Sequence, residues 1–369
     1  MTKDRKFKVI DLFCGCGGLS LGFIKAGFDV VLGIDNDDAA LKTYNYNHKN
    51  SVGIKENLFE DSSIDMIKKE YYKKEKNNSV DLVIGGPPCQ GFSLTGSRDI
   101  NDSRNTLYLA VVKCVKKFKP KAFLIENVPG MATLYNGVVK NQIINTFEDM
   151  GYRVTVTKKP LLAADYGVPQ MRKRMFFVGI RDDICKKVGS KFVFPSPTNV
   201  PINYVTCKDA ISDLQSREDD LGKEEDNYIS KPKTEYQKLM RKNSSKLYNH
   251  VATNHTDKVK ETIALVPDGG NYKDLPEGVG ESRKFNEAWT RYASDKPSRT
   301  IDTGHRNHFH YKYNRVPTIR ENARLQSFPD DFIFFGNKTQ QNRQVGNAVP
   351  PMLSYNIAKA LLSYLEKGE

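Results

Sequence analysis

The chain has no apolar run long enough to cross a bilayer and no early stretch with the basic, apolar, small-residue order of a secretory signal. A cytoplasmic protein without membrane attachment is therefore expected. Cysteine is scarce: six residues, at 14, 16, 89, 114, 185 and 207, are few for a chain of 369 and lie partly in apolar runs, which speaks against a disulfide framework. Paired cysteines or carboxylates at ligand spacing are missing around His305, His308 and His310, so no metal centre is expected and these read as loop histidines near solvent or a partner. Acidic charge falls short as well, 44 Asp+Glu against 57 Lys+Arg, leaving a formal charge of +13. That excess suits either a polyanionic partner or a solubilising surface, and charge alone does not separate them.

What is present is an alternation of strand and helix patterns. Residues 7–13 read as a strand, followed by a glycine turn and a helix carrying Leu19, Leu21, Phe23 and Ile24. Residues 29–34 form a second strand ending at Asp35, and 38–46 a helix; strands at 81–84, 122–125 and 175–180 and helices near 106–118 and 138–150 continue the pattern. The expected fold is α/β, a doubly wound, mostly parallel Rossmann-like sheet. From about residue 191 to 341 the sequence turns polar and rich in Pro, Gly, Asn and Lys, with the single tryptophan, Trp289, so a smaller irregular domain is expected there. The division is 1–185, 186–342, and a segment 343–369 whose helix returns to the first domain.

Two places along this pattern carry chemistry. Gly15, Gly17 and Gly18 allow a tight turn before a helix N-terminus, and Asp35 ends the next strand where a Rossmann fold places a ribose-binding acid. Ser20 replaces the third glycine of the dinucleotide fingerprint, so a nucleoside cofactor fits better than a nicotinamide or flavin. The second place is Gly85-Gly86-Pro87-Pro88-Cys89-Gln90-Gly91, a stiff turn that sets a thiol just beyond a strand end. Glu126 also follows a strand, and Gln170-Met171-Arg172-Lys173-Arg174 precedes one, bringing cations towards the same edge. Arg299, Arg306, Arg315, Arg320 and Arg324 gather beside apparent turns, where arginine is suited to phosphate and base-edge contacts.

These motifs resemble those of the bacterial cytosine-C5 DNA methyltransferases of restriction-modification systems. The resemblance rests on Asp11 to Gly18, Gly86 to Ser93, Glu126-Asn127-Val128, Gln170 to Arg174, Arg320 to Pro329 and Gln344 to Pro351, six motifs in family order over nearly the whole chain. It implies S-adenosylmethionine as cofactor, bordered by Phe13, the glycine turn and Pro88, with Asp35 on the ribose and Asn347 and Val349 closing the pocket. Asn36 stands where some relatives carry an aromatic ring, and Asn57 where the family often has an aspartate near the adenine. The resemblance further implies Cys89 as nucleophile towards C6 of a flipped-out cytosine, Glu126 on N3 and the exocyclic amine, and Arg174 with Arg172 supporting that carboxylate. Gln90, together with Ser93, Arg98 and Arg104 of a loop over residues 91–105, would meet DNA, and the variable region would read the duplex sequence. A cognate restriction endonuclease acting separately, and a monomeric state, complete the expectation. A tRNA-methylating relative would carry a Cys-Phe-Thr signature, which the variable region lacks, and a binding module without activity would have lost Cys89 or Glu126.

Overall fold

The computed structural model describes residues 6–60, 62–75, 79–88, 108–132, 137–281, 285, 287–304 and 307–369. The chain divides into two compact units: unit 1 is Met1–Leu162, Lys173–Ser196 and Leu353–Glu369, and unit 2 is Ala163–Arg172 and Pro197–Met352. These limits differ from the division at residues 185 and 342. The segment Ala163–Arg172 groups with unit 2, where Gln170 donates to the Leu325 carbonyl and Arg172 to that of Gly346.

Unit 1 is the expected doubly wound sheet. In chain order it contains β1 (Lys8–Leu12), α1 (Gly18–Ala26), β2 (Asp29–Asp35), α2 (Asp38–Asn47), β3 (Val52–Lys55), α3 (Ser63–Lys74) and β4 (Leu82–Gly85). Then follow α4 (Tyr108–Phe118), β5 (Ala122–Asn127), α5 (Val138–Glu148), β6 (Tyr152–Val156), β7 (Leu161–Leu162), β8 (Lys173–Arg181) and α6 (Asp182–Val188). The strand order is β3-β2-β1-β4-β5-β8-β6, with β7 paired to β8. The first five strands are parallel, and β8 runs antiparallel to both β5 and β6.

Strands buried on both faces need apolar residues at every position rather than at alternate ones. Leu82, Val83 and Ile84 of β4 and Ala122 to Ile125 of β5 meet that need, all with no exposure. Helices cover this sheet through Ile67 and Tyr71 of α3, Val111 and Val115 of α4, and Ile143 and Phe147 of α5. Phe147 stacks on Phe123 with ring centroids 3.9 Å apart. The C-terminal helix Pro351–Lys367 joins unit 1 from Leu353 onwards, where Ser354 Oγ donates to the Leu19 carbonyl at 2.7 Å. No helix among the described residues is long and apolar enough to cross a membrane.

Unit 2 is built from short helices, long loops and two two-stranded pieces, Glu225–Asp226 with Leu247–Tyr248 and Thr290–Arg291 with His308–Phe309. Thr206, Thr234, Thr318 and Asn337 each close a capping box at the start of a helix. Trp289 packs with Ile263, Val266, Ala288, Phe309 and Val316 in a small apolar cluster.

Candidate active site

The turn after β1 bends through left-handed backbone at Phe13 (φ 59°), Gly15 (φ 53°) and Gly17 (φ 95°) before α1 begins at Gly18. The glycines have different tasks. A Cβ on Gly15 would meet nothing within 4 Å, so this part of the turn borders open space. One on Gly17 would lie 2.0 Å from His48 Nε2, because Tyr44 of α2 and the C-capping His48 fill the space behind the turn. Burial holds His48 neutral, its pKa lowered to about 4. Asp35, at the end of β2, accepts from Gly15 N at 2.8 Å on one oxygen and from Asn36 N and Asp37 N on the other. Burial raises its pKa, and those three amides oppose the shift.

A carboxylate has about four acceptor positions, so Asp35 keeps capacity for a ribose hydroxyl beside the open face of Gly15 and the N-terminus of a helix. These residues fit a nucleoside cofactor. Asn36 is exposed, and the exposed Asn57 turns its side chain onto its own loop, donating to Glu60 and accepting from Phe59 N. Phe59, 46% exposed, stands past the end of β3 in the segment whose Glu56 N donates to the Asp35 carbonyl. It escaped the sequence reading, although an aromatic just beyond a strand end was the available signal. Cys14 and Cys16 are buried thiols; burial raises the pKa of Cys14 well above its ordinary value and that of Cys16 to about 12.

At the second place the chain leaves β4 through Gly85, where a Cβ would lie 2.8 Å from the Leu12 carbonyl oxygen. A Cβ on the next residue, Gly86, would lie 3.1 Å from Glu126 Oε2. The approach to the Pro87-Pro88 turn thus runs against the carboxylate at the end of β5; Pro88 is exposed. Cys89, Gln90, Ser93, Arg98 and Arg104 lie outside the described residues. Glu126 Oε1 is 2.7 Å from Arg174 Nε, with side-chain exposures of 12% and 14%. Strand direction explains this pair: β8 is antiparallel to β5, with Glu126 opposite Phe176 and Asn127 opposite Met175, so the start of β8 meets the end of β5. Asn127 accepts from Val128 N on its own side chain and fixes the exit from the strand.

The remaining expected residues belong to unit 2. Arg172 is buried there and donates to the Gly346 carbonyl at 2.8 Å. Gln170 bonds the Gln326 side chain and accepts from Ile301 N, while Gln326 donates to the Ala348 carbonyl, so three motif segments interlock. Asn347 is exposed at the end of helix Lys338–Asn347, and Val349 is buried.

Two expectations are corrected here. Arg315, Arg320 and Arg324 do not face outward: Arg315 grips Glu321 with two bonds of 2.7 Å, Arg324 pairs with Asp213 and Asp330, and Arg320 donates to the carbonyls of Tyr248, Pro329 and Phe332. Arg299 is exposed and pairs with Glu287, and Arg306 lies outside the described residues. The histidines are not solvent-facing loop residues either. His308 is buried with Nε2 3.1 Å from Glu287, and His310 is buried between Tyr311 and Tyr313, its pKa lowered to about 3 chiefly by burial. His305 lies outside the described residues.

The family profile described as C-5 cytosine-specific DNA methylase matches residues 7–363. The type II methyltransferase M.DdeI of Desulfomicrobium norvegicum is 38% identical over 97% of this chain and 89% of that protein. M1.HphI of Haemophilus parahaemolyticus is 39% identical over 96% of this chain and 86% of its own length. Among solved structures, a prophage-encoded E. coli chain described as a DNA modification methyltransferase superposes with a TM-score of 0.79 at 28% identity, covering 98% of this chain and all of that one.

Proposed function

The chain belongs to the C-5 cytosine-specific DNA methylase family and is a DNA cytosine-5-methyltransferase of the restriction-modification type, and from that premise we propose that it methylates a flipped-out cytosine in a specific duplex sequence through a covalent bond between Cys89 and C6. S-adenosylmethionine, when bound, supplies an electrophilic methyl group. The cofactor would lie at the open face of Gly15, with Asp35 on its ribose. Asn36 offers no ring, so Phe59 would supply the surface against the adenine.

Cytosine C5 is a weak nucleophile, and attack of a thiolate at C6 splits one hard step into easier ones. The Cys89 thiolate would add to C6, C5 would take the methyl group as the donor's sulfur–methyl bond breaks and leaves a neutral thioether, a base would remove the C5 proton, and the thiolate would leave as the C5–C6 double bond returns. Reaching these atoms requires the base to leave the stack, at a cost of a few kcal/mol. Glu126 would hold N3 and the exocyclic amine, oriented by Arg174. The Glu126–Arg174 pair, two amino acids from separate strands meeting at a strand end beside the approach to Cys89, is the observation that carries the proposal. Such methylation would protect host DNA from a separately acting endonuclease.

The test combines trapping with sequencing. Duplex DNA containing 5-fluorocytosine should form a covalent adduct with the wild type in the presence of cofactor and none with Cys89→Ala. Glu126→Gln should lower turnover by about 10²–10⁴-fold without changing cofactor affinity. An adduct that persists in Cys89→Ala overturns the mechanism. Bisulfite sequencing of DNA from expressing cells identifies the product and the recognition sequence.

A further inference from the structure

Behind the glycine turn lies a polar cluster that the transfer reaction itself does not use. Asp11, inside β1, is fully buried; Ser20 Oγ donates to its Oδ2 at 2.6 Å and lies 3.2 Å from Tyr44 Oη, which is 2.8 Å from Ser51 Oγ. This hydroxyl chain joins β1, α1, α2 and the residue before β3. Asp11 Oδ1 is buried and has no hydrogen-bond partner among the described residues. Ser20 is the residue that stands in place of the fingerprint's third glycine, so the departure from that pattern brings a hydroxyl to this acid.

The surroundings favour an uncharged carboxyl group. Asp11 lies opposite Gly33 of β2 and Ile84 of β4, neither of which titrates. The groups that act on it are the hydroxyl and backbone amide of Ser20 in α1 and the Asp35 carboxylate at the end of β2; Cys14 of the turn and Tyr44 of α2 interact with it, and His48, which caps the end of α2, is neutral. No cation is among them. A buried carboxylate with one unmatched oxygen is costly, whereas a protonated acid needs no counter-charge.

We propose that Asp11 and Ser20 form a positioning pair that holds the glycine turn in its cofactor-receiving shape, with Asp11 acting as a neutral acid. The proposal rests on the reading that this turn binds S-adenosylmethionine. Burial raises the Asp11 pKa to about 7, against the pull of the Ser20 bond and with the help of the Asp35 charge. Once ionised, Asp11 places a second negative charge beside Asp35, whose carboxylate carries Gly15 N, and the turn loosens.

The experiment is calorimetric titration of S-adenosylmethionine into the full chain between about pH 6 and pH 8.5, with thermal melts alongside. The ligand's amino group also titrates, near pH 8 or about there, but equally for every variant, so differences between variants are read. Wild-type affinity should fall about tenfold or more across this range. Asp11→Asn, which keeps an acceptor for Ser20, should bind as the wild type does at the acid end and lose that protein-dependent fall. Ser20→Ala should weaken binding about fivefold and move the midpoint to higher pH, since the bond that restrains the Asp11 pKa is gone. A merely structural role would lower the melting temperature without moving the midpoint. The same pH slope in wild type and Asp11→Asn, or an unmoved midpoint in Ser20→Ala, overturns the proposal. Absence of wild-type binding at every pH would instead defeat the cofactor reading itself.

Discussion

In unit 1 the central strands are apolar almost end to end, and Asp11 is the exception on β1; in unit 2 the residues without exposure include Arg320, Glu321, Arg324 and Asp330. One unit is ordered by a sheet between helices, the other by an ionic core inside short helices and loops. The difference bears on how basic residues are read. Three of the arginines that sequence position suggested for DNA contact are internal fasteners, and a positive charge beside a turn is not by itself a phosphate contact. Removing one member of a buried ion pair strands its partner, which costs far more than an exposed pair is worth.

The largest expected effect follows directly. Asp213 faces both Arg324 and Arg241, and Asp213→Ala should cost unit 2 about 4 kcal/mol. Urea titrations followed by Trp289, which is buried in unit 2, report it without interference from another tryptophan. A loss below about 1 kcal/mol would mean that the ionic core is not what orders unit 2.

The same contrast explains what could be read from sequence. β1, β2, β4, β5 and β8 were legible because buried strands announce themselves as apolar runs. β3, α3 and β6 were not assigned: Val52 and Lys55 at the ends of β3 are exposed, and Arg153 interrupts β6 with an exposed charge. Arg324 was illegible because Asp213, which binds it together with Asp330, is 111 residues away. Glu126 and Arg174 could be placed at one edge from strand ends, yet the pairing depends on the antiparallel direction of β8, which no local pattern encodes. Tyr44 and His48 left a further signal, an aromatic pair at i and i+4 formed by α2 and the residue that caps its C-terminus.

Unit 1 should fail by overpacking where unit 2 fails by stranded charge. A Cβ on Gly179 of β8 would lie 2.0 Å from the ring of Phe123, which is fully buried and stacked on Phe147. Gly179→Ala should therefore destabilise unit 1 by about 3 kcal/mol, at the upper end for added core volume. Peptide-resolved labelling of Cys114, buried in the unit 1 core, should accelerate while Trp289 emission keeps its midpoint. Equal shifts in both probes would show that the units unfold as one.

Mild acid should separate the units by a smaller amount and with opposing signs. In unit 2, burial lowers the pKa of His250 to about 4 and of His310 to about 3. The unfolded chain therefore takes up these protons first as pH falls below the ordinary histidine value near about 6.5, and stability is lost. Glu321 does not offset this loss: burial would raise its pKa, but the Arg315 guanidinium that grips it holds it below the usual range, and it stays ionised in the folded state. Between about pH 6 and pH 5 unit 2 should lose about 2 kcal/mol, close to one proton for each histidine. Unit 1 carries one such residue, His48 at about 4, but also Asp11, whose pKa is raised to about 7. The folded state binds the Asp11 proton before the unfolded chain does, so acidification stabilises unit 1 through Asp11 as it destabilises it through His48. The two nearly cancel in this window. Trp289 melts should thus weaken from pH 6 to pH 5, about 2 kcal/mol in all, while Cys114 labelling stays level. In Asp11→Asn the compensation is gone, and Cys114 labelling should begin to rise with acid; if it stays level there too, Asp11 does not carry its proton in the folded state.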